Sequence, residues 1–253
     1  MINPMDLTGR HVVVTGASSG LGRQTCITLS QLGARVSLLA RNDEKLRDTL
    51  AMMEGTGHIA IPFNVTDIEG IENLVKQIVE ENGKINGMVH AAGVGTRKPL
   101  SMTKYEFIKG MMDLHLFSFV ELVRNIGKKK YSEDGCAIVA VSSGSTFSSD
   151  KGQLAYIATK GALDRAVKPL AIELGESRKF RVNTVNPGWI KTDMYYDFLA
   201  EQGQEQMDRI LAPCFLGASE PEDVANTIAF LLSDASRMIT GQNIVIDGGW
   251  TIH

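Results

Sequence analysis

Residues 15–22 read TGASSGLG, directly after the apolar run HVVV at 11–14. Three glycines in the pattern G-x-x-x-G-x-G follow a β-branched run and open an amphipathic stretch. In that context a glycine-rich turn binds a dinucleotide. Gly16 permits a tight turn. Gly20 and Gly22 let a pyrophosphate and the sheet approach a helix start, whose free N–H groups attract anions. A bare turn that binds nothing would carry the same glycines, so the rest of the chain has to decide.

Working outward, short apolar runs recur at 11–16, 35–41, 58–64, 87–93, 136–143, 181–188 and 243–249. Nearly continuous apolar strands belong to a parallel sheet covered on both faces. Between them, 20–32, 43–53, 67–81, 104–130, 153–176 and 220–233 read as helices. Thr66 with Glu69 reads as a capping box opening the third, with Asp67 at its positive pole. End-to-end alternation of strand and helix implies right-handed βαβ units and a doubly wound α/β sheet. No linker or repeat interrupts it, so 1–253 reads as one domain. Ligands in such sheets lie at the carboxyl ends of the strands.

Composition narrows the function classes. Of 253 residues, 43% are hydrophobic and 22% charged, with a net charge of −3. That balance gives no electrostatic case for nucleic acid or an anionic membrane surface. No apolar run approaches the ~20 residues that span a bilayer, and MINPMDLTGRH lacks the apolar core of a signal peptide. Cys26, Cys136 and Cys214 match no metal or redox spacing, so no metal site is expected. These features read as a cytoplasmic protein.

The tip of the second strand bears on the cofactor. An acid about 20 residues past the glycine loop would hold the adenosine ribose hydroxyls. Here the sequence is LLARND, with Arg41 at the tip and no carboxylate before Asp43. A guanidinium suits a 2′-phosphate, so the reading is NADP(H) over NAD(H); the alternative is an ordinary surface arginine.

Reduction of a carbonyl also needs a proton donor, and a tyrosine can serve if a nearby cation lowers its pKa. Four-residue spacing puts Tyr and Lys on one helix face, and two pairs qualify, Tyr105–Lys109 and Tyr156–Lys160. Tyr105 lies in a solvent-facing helical pattern and reads as structural. Tyr156 opens a helix after a strand ending in Ser142 and Ser143, whose hydroxyls are either turn groups or neighbours of the phenol.

TGASSGLG, HAAG (90–93), the SS…YIATK segment, NPGWIKT (186–192) and VIDGG (245–249) together resemble the short-chain dehydrogenases/reductases. The resemblance runs from about residue 7 to residue 249. It implies a single Rossmann-like domain with strand order 3-2-1-4-5-6-7, assembled as a homotetramer or homodimer. The implied chemistry is reversible hydride transfer between a nicotinamide and a small-molecule carbonyl or alcohol. Position by position, Tyr156 resembles the general acid/base. Lys160 resembles the residue that holds the nicotinamide ribose and depresses the tyrosine pKa, and Ser143 the one that orients the substrate oxygen. Gly16, Ser18, Ser19, Gly20 and Leu21 fall in the phosphate loop, and Arg41 at the adenosine end. Asn64 and Val65 resemble adenine contacts, and Ala91, Ala92 and Gly93 line the cofactor. Pro187, Gly188, Ile190 and Thr192 resemble the nicotinamide and phosphate clasp.

Two positions depart from the family pattern. Counting 28 residues back from Ser143 lands on His115, where the family places a catalytic asparagine. A substitute proton relay, a packed core histidine and a damaged site are the three readings. His90 replaces the first asparagine of the family's NNAG and reads as a histidine bridging strands. Pro169, deep in the helix after Tyr156, is expected to bend it.

Residues 193–217 occupy the place of a substrate lid, in which Tyr195, Tyr196, Phe198 and Met207 line a pocket or pack the lid down. Overall similarity is nearest to the 3-oxoacyl-[acyl-carrier-protein] reductase branch, with Lys128, Lys129, Lys130, Arg178 and Lys179 as candidate carrier contacts. A sugar, polyol or small-ketone oxidoreductase, and a catalytically weak NADP-binding scaffold, are the alternatives.

Overall fold

The computed structural model describes residues 3–252. The outermost residues of the expected domain, Met1, Ile2 and His253, lie outside them. Seven strands form one parallel sheet in the order β3-β2-β1-β4-β5-β6-β7. They are β1 (His11–Thr15), β2 (Arg35–Ala40), β3 (Ile59–Pro62), β4 (Ile85–His90), β5 (Ser132–Val141), β6 (Arg181–Pro187) and β7 (Asn243–Ile246). The helices between them are α1 (Gly20–Gln31), α2 (Asp43–Ala51), α3 (Ile71–Asn82), α4 (Tyr105–Met112), α5 (Ser118–Ile126) and α6 (Leu154–Arg178). After β6 come α7 (Asp193–Gln202), α8 (Gln204–Leu211) and α9 (Pro221–Leu232).

Alternation along each strand explains why both faces are covered. Val12 and Val14 of β1, Val36 and Leu38 of β2, and Val139 of β5 pack with α1, Leu46 of α2 and α9. Val13, Leu39, Met88 and Ile138 face the opposite way, onto α3, α5 and α6. A strand buried on both sides has no polar face, which is why these runs read as continuous hydrophobics.

One expectation about a helix end does not hold. The capping box at Thr66 does not form, and α3 begins later, at Ile71, with Gly70 as its N-cap. The residues between are spent on side-chain turns, in which Asn64 Oδ1 accepts from the Thr66 N–H and Asp67 Oδ1 from the Gly70 N–H. Pro169 lies inside α6, which runs unbroken through it. Its place on the exposed face puts the lost backbone hydrogen bond on the solvent side. The single helix read over 104–130 is divided by a π-helical turn, Asp113–Phe117, that holds His115.

Phe119 on α5 is fully buried in the core beneath β4 and β5. Phe119→Ala is expected to cost about 3–5 kcal/mol, read as a lowered urea midpoint with an unchanged transition slope.

Candidate active site

The turn from β1 into α1 admits no side chain at two of its glycines. Gly16 adopts φ +69°, and a Cβ on Gly22 would stand 2.1 Å from the Gly16 carbonyl oxygen. Neighbouring groups pin the loop: Arg23 Nη2 donates to the Ser18 carbonyl at 2.6 Å, and Thr49 Oγ1 to the Ala17 carbonyl at 3.0 Å. Ser19 caps α1 in an extended conformation and gives no side-chain hydrogen bond to the helix, leaving its first N–H groups to an anion. Gly20 faces Thr192, whose Cγ2 would lie 3.5 Å from a Cβ at position 20. Leu21 is half-buried beside them. The phosphate loop and the Pro187–Thr192 segment therefore border one cleft. Within that segment Pro187 is buried, Gly188 and Thr192 are half-buried, and Ile190 bridges to Ser219.

Along the sheet edge, Arg41 is exposed at the tip of β2. Its side chain makes no ion pair or hydrogen bond among the described residues, so the guanidinium is available. Val65 is buried, whereas the exposed Asn64 turns its side chain to Thr66. Ala91 and Ala92 lie against Gly16, where a Cβ would meet their backbone at 2.8 Å. These features fit a dinucleotide laid across the carboxyl ends of the strands.

The second half of the site lies between β5 and α6. Ser143 Oγ accepts from the Ser145 N–H at 3.1 Å and caps the short turn Gly144–Thr146. Ser142 is turned away, its hydroxyl donating to the Lys160 carbonyl at 3.2 Å. Ser143 and not Ser142 therefore meets the phenol. Burial raises the Tyr156 pKa, and the Ser143 hydroxyl pulls it partly back. The expected depression by Lys160 is not what this geometry gives. The Lys160 ammonium donates to the Val141 carbonyl at 2.7 Å, and burial lowers its own pKa to about 8, partly offset by Asp164.

Asp164 escaped the sequence reading although it continues the stripe Tyr156–Lys160–Asp164 at four-residue spacing. Its buried carboxylate accepts from Asn186 Nδ2 at 3.0 and 2.9 Å and from Thr184 Oγ1 at 3.2 Å. That fixes the catalytic face of α6 to the end of β6.

His115 and His90 are both fully buried. His115 lies between the loop after β4 and α6, its ring edge-on to that of Tyr156 with centroids 6.0 Å apart. His90 bridges β4 to Thr15 Oγ1 of β1 at 3.1 Å. Burial and the Lys160 charge lower the pKa of His90 to about 3 and of His115 to about 2. Tyr105 is exposed, and its partner Lys109 pairs with Asp113 at 2.8 Å, away from the sheet.

The candidate carrier contacts lie at the wrong end of the sheet. Lys128–Lys130 precede β5, and Arg178 and Lys179 precede β6, so they stand at its amino edge, opposite the active-site cleft. Lys128 pairs with Glu72 at 2.7 Å and Arg178 with Asp134 at 2.8 Å.

In the segment after β6, Met207 is fully buried and packs α8 down. Tyr195 and Phe198 rest on Trp189, with ring centroids 6.4 and 5.1 Å away, while Tyr196 is exposed. Arg97 lies over Phe198 and pairs with Asp150. The three cysteines are buried and free. Among the described residues no cluster could hold a metal ion, and no helix is long and apolar enough to cross a membrane.

A family model described as enoyl-(acyl carrier protein) reductase matches residues 16–251. A 3-oxoacyl-[acyl-carrier-protein] reductase of Thermotoga maritima is 32% identical, covering 98% of this chain and all of the relative. An NAD-dependent glycerol dehydrogenase of Listeria innocua is 31% identical, covering 98% of this chain and 96% of the relative. Among solved structures, 7α-hydroxysteroid dehydrogenase complexed with NADH and 7-oxo glycochenodeoxycholic acid superimposes with a TM-score of 0.91. It is 26% identical over 98% of each chain.

The buried histidines set an acid limit on stability. Their folded pKa values lie below the ordinary 6.5, so below that pH the unfolded chain binds protons that the folded chain refuses. Stability is then full above about pH 6.5 and falls as pH drops, by up to roughly 1.4 kcal/mol per pH unit for each histidine. Urea midpoints at pH 7, 6 and 5 should fall less steeply for His90→Asn than for the native chain.

Proposed function

The chain belongs to the short-chain dehydrogenase/reductase family, an oxidoreductase family acting on alcohol and ketone groups with a nicotinamide cofactor, and we propose that it is an NADPH-dependent ketone reductase. The observation that carries this reading is the convergence of Ser143, Tyr156 and Lys160 at the end of the sheet that also carries the glycine loop. NADPH supplies the hydride when bound. Ser143 holds the substrate oxygen, and Tyr156 donates the proton that oxygen needs. The phenol is protonated at neutral pH, which is the form a proton donor requires. Lys160, anchored on Val141, sets the charge beside the nicotinamide ribose.

The phosphorylated cofactor is proposed on Arg41, whose side chain has no hydrogen bond or ion pair among the described residues and which no carboxylate follows before Asp43. The glycerol dehydrogenase relative is NAD-dependent by name, so the choice rests on this residue of this chain.

For substrate we propose 3-oxoacyl thioesters, the class named for the Thermotoga relative. The aromatic cluster of Trp189, Tyr195 and Phe198 favours an apolar substrate chain, and we take residues 193–217 as the lid. The Listeria relative, 31% identical and acting on glycerol by name, favours a small polyol or its ketone as the second reading. Exposed apolar side chains at Phe117, Val120 and Ile172 support assembly as a homo-oligomer.

NADPH oxidation is to be followed with acetoacetyl thioesters, simple ketones and dihydroxyacetone. Tyr156→Phe should lower the rate on the preferred ketone by about 10²–10⁴-fold while NADPH still binds. An unchanged rate would remove Tyr156 as the acid, and binding of NADPH with no ketone turned over would leave a scaffold protein. Arg41→Ala should weaken NADPH on the order of tenfold to a hundredfold and NADH little. Equal losses for both nucleotides would remove the phosphate role.

A further inference from the structure

His115 is held at both ring nitrogens, and its partners fix where its proton lies. Nε2 stands 3.2 Å from the backbone N–H of Val94, in the loop after β4. A backbone amide only donates, so Nε2 accepts and the ring's one proton is on Nδ1. Nδ1 donates in turn to Thr159 Oγ1 at 2.8 Å, and the threonine hydrogen goes to the Tyr156 carbonyl at 2.9 Å. Every bond in this run has a single consistent direction.

The surroundings contain no acid to stabilise a second proton. From α6 the ring is faced by Lys160 and Tyr156, and from β4 by His90. A Cβ on Gly93 would lie 3.3 Å from both His115 Nε2 and Lys160 Nζ, so the imidazole and the ammonium border the same point of the cleft. His90 is neutral by the same logic. It accepts at Nδ1 from Thr15 and donates from Nε2 to the Leu114 carbonyl of the π-turn at 3.3 Å.

We propose that His115 is a positioning residue, a fixed neutral Nδ1–H imidazole that ties the loop at Val94 to the first turns of α6 and takes no proton during turnover. This rests on the reductase reading above. A relay needs one nitrogen free to accept a proton and another free to release one, and neither exists here. Protonating Nε2 breaks the bond from Val94 and sets a second cation beside Lys160. The π-turn makes the arrangement possible, because its extra residue turns position 115 inward between β4 and α6. The two nitrogens point to opposite sides of the ring, so one side chain reaches both elements.

The test uses the full chain with Gln and Phe at this position. Gln places a non-titrating acceptor near where Nε2 stands, and Phe fills the ring volume with no polar atom. Nitrogen chemical shifts of the native histidines, with and without NADPH, should show His115 as one neutral Nδ1–H tautomer throughout the range from about pH 5 to 9. His115→Gln should stay within roughly tenfold of the native rate, with the shape of the pH–rate profile unchanged. His115→Phe, which strands the Val94 N–H, should lose on the order of tenfold to a hundredfold, in the KM for NADPH as well as in kcat. An imidazole that titrates in that range overturns the proposal. So does a Gln variant that loses one limb of the pH profile, or a Phe variant with native rates. Tyr156→Phe run alongside separates the two readings: if it stays fully active the reductase assignment falls, while the tautomer measurement still decides on His115.

Discussion

The structure turns on a contact that admits no side chain. The Gly16 carbonyl and the Cα of Gly22 are so close that any Cβ at position 22 would overlap the oxygen. That closeness lets α1 start at the carboxyl end of β1 and sink Cys26 and Leu29 into the core beside Val12 and Val14. It also fixes the loop against its neighbours. The Ala17 N–H reaches the Leu39 carbonyl of β2, and Thr15 Oγ1 accepts from the Ala92 N–H after β4. From there the bonding runs on through Thr15 to His90, from His90 to the Leu114 carbonyl, and within the π-turn to His115 and Thr159. Hydrogen bonds thus connect the phosphate loop to the helix of Tyr156 and Lys160 with no mobile side chain between.

Most of the fold was legible because burial on both faces leaves a strong signature. Val12, Val13 and Val14 are all apolar since neighbours point to opposite, equally covered faces, and the same holds for Leu38 and Leu39. Helix boundaries were less legible because short polar side chains compete for the same backbone groups. Around α3, Asn64 and Asp67 take N–H groups that a capping box would have used differently, and the helix start moves to Ile71. The π-turn has no pattern in the sequence at all.

In the candidate site, the four-residue spacing of Tyr156 and Lys160 together with the strand-end rule brought forward residues that the structure places together at the carboxyl end of the sheet. The same spacing extended one step gives Asp164, so that omission was avoidable. The basic residues were misplaced for a related reason. In a parallel sheet, residues before a strand lie at the amino edge and those after it at the carboxyl edge, which excludes Lys128–Lys130 and Arg178 from the cleft. What spacing could not give is direction within the site: that Lys160 points to Val141, that Ser142 turns to the Lys160 carbonyl, and that Ser143 is left to the phenol.

The segment after β6 is built differently from the rest. Among the described residues, α7 buries none of its side chains fully, and its hold on the domain is the stacking of Tyr195 and Phe198 on Trp189. Each such aromatic pair contributes about 0.5–1.5 kcal/mol beyond its area. Against this, Trp189 Nε1 is buried with no acceptor, the only buried side-chain polar atom so placed among the described residues. An unmet indole N–H costs about 1–3 kcal/mol, the same order as the stacking that covers it. The two are of the same order, so the contacts of Trp189 add little net stability to α7, whereas the buried Met207 packs α8 onto the domain. By contrast, the turn at Gly16 and Gly22 is fixed by a backbone contact that no side chain can enter.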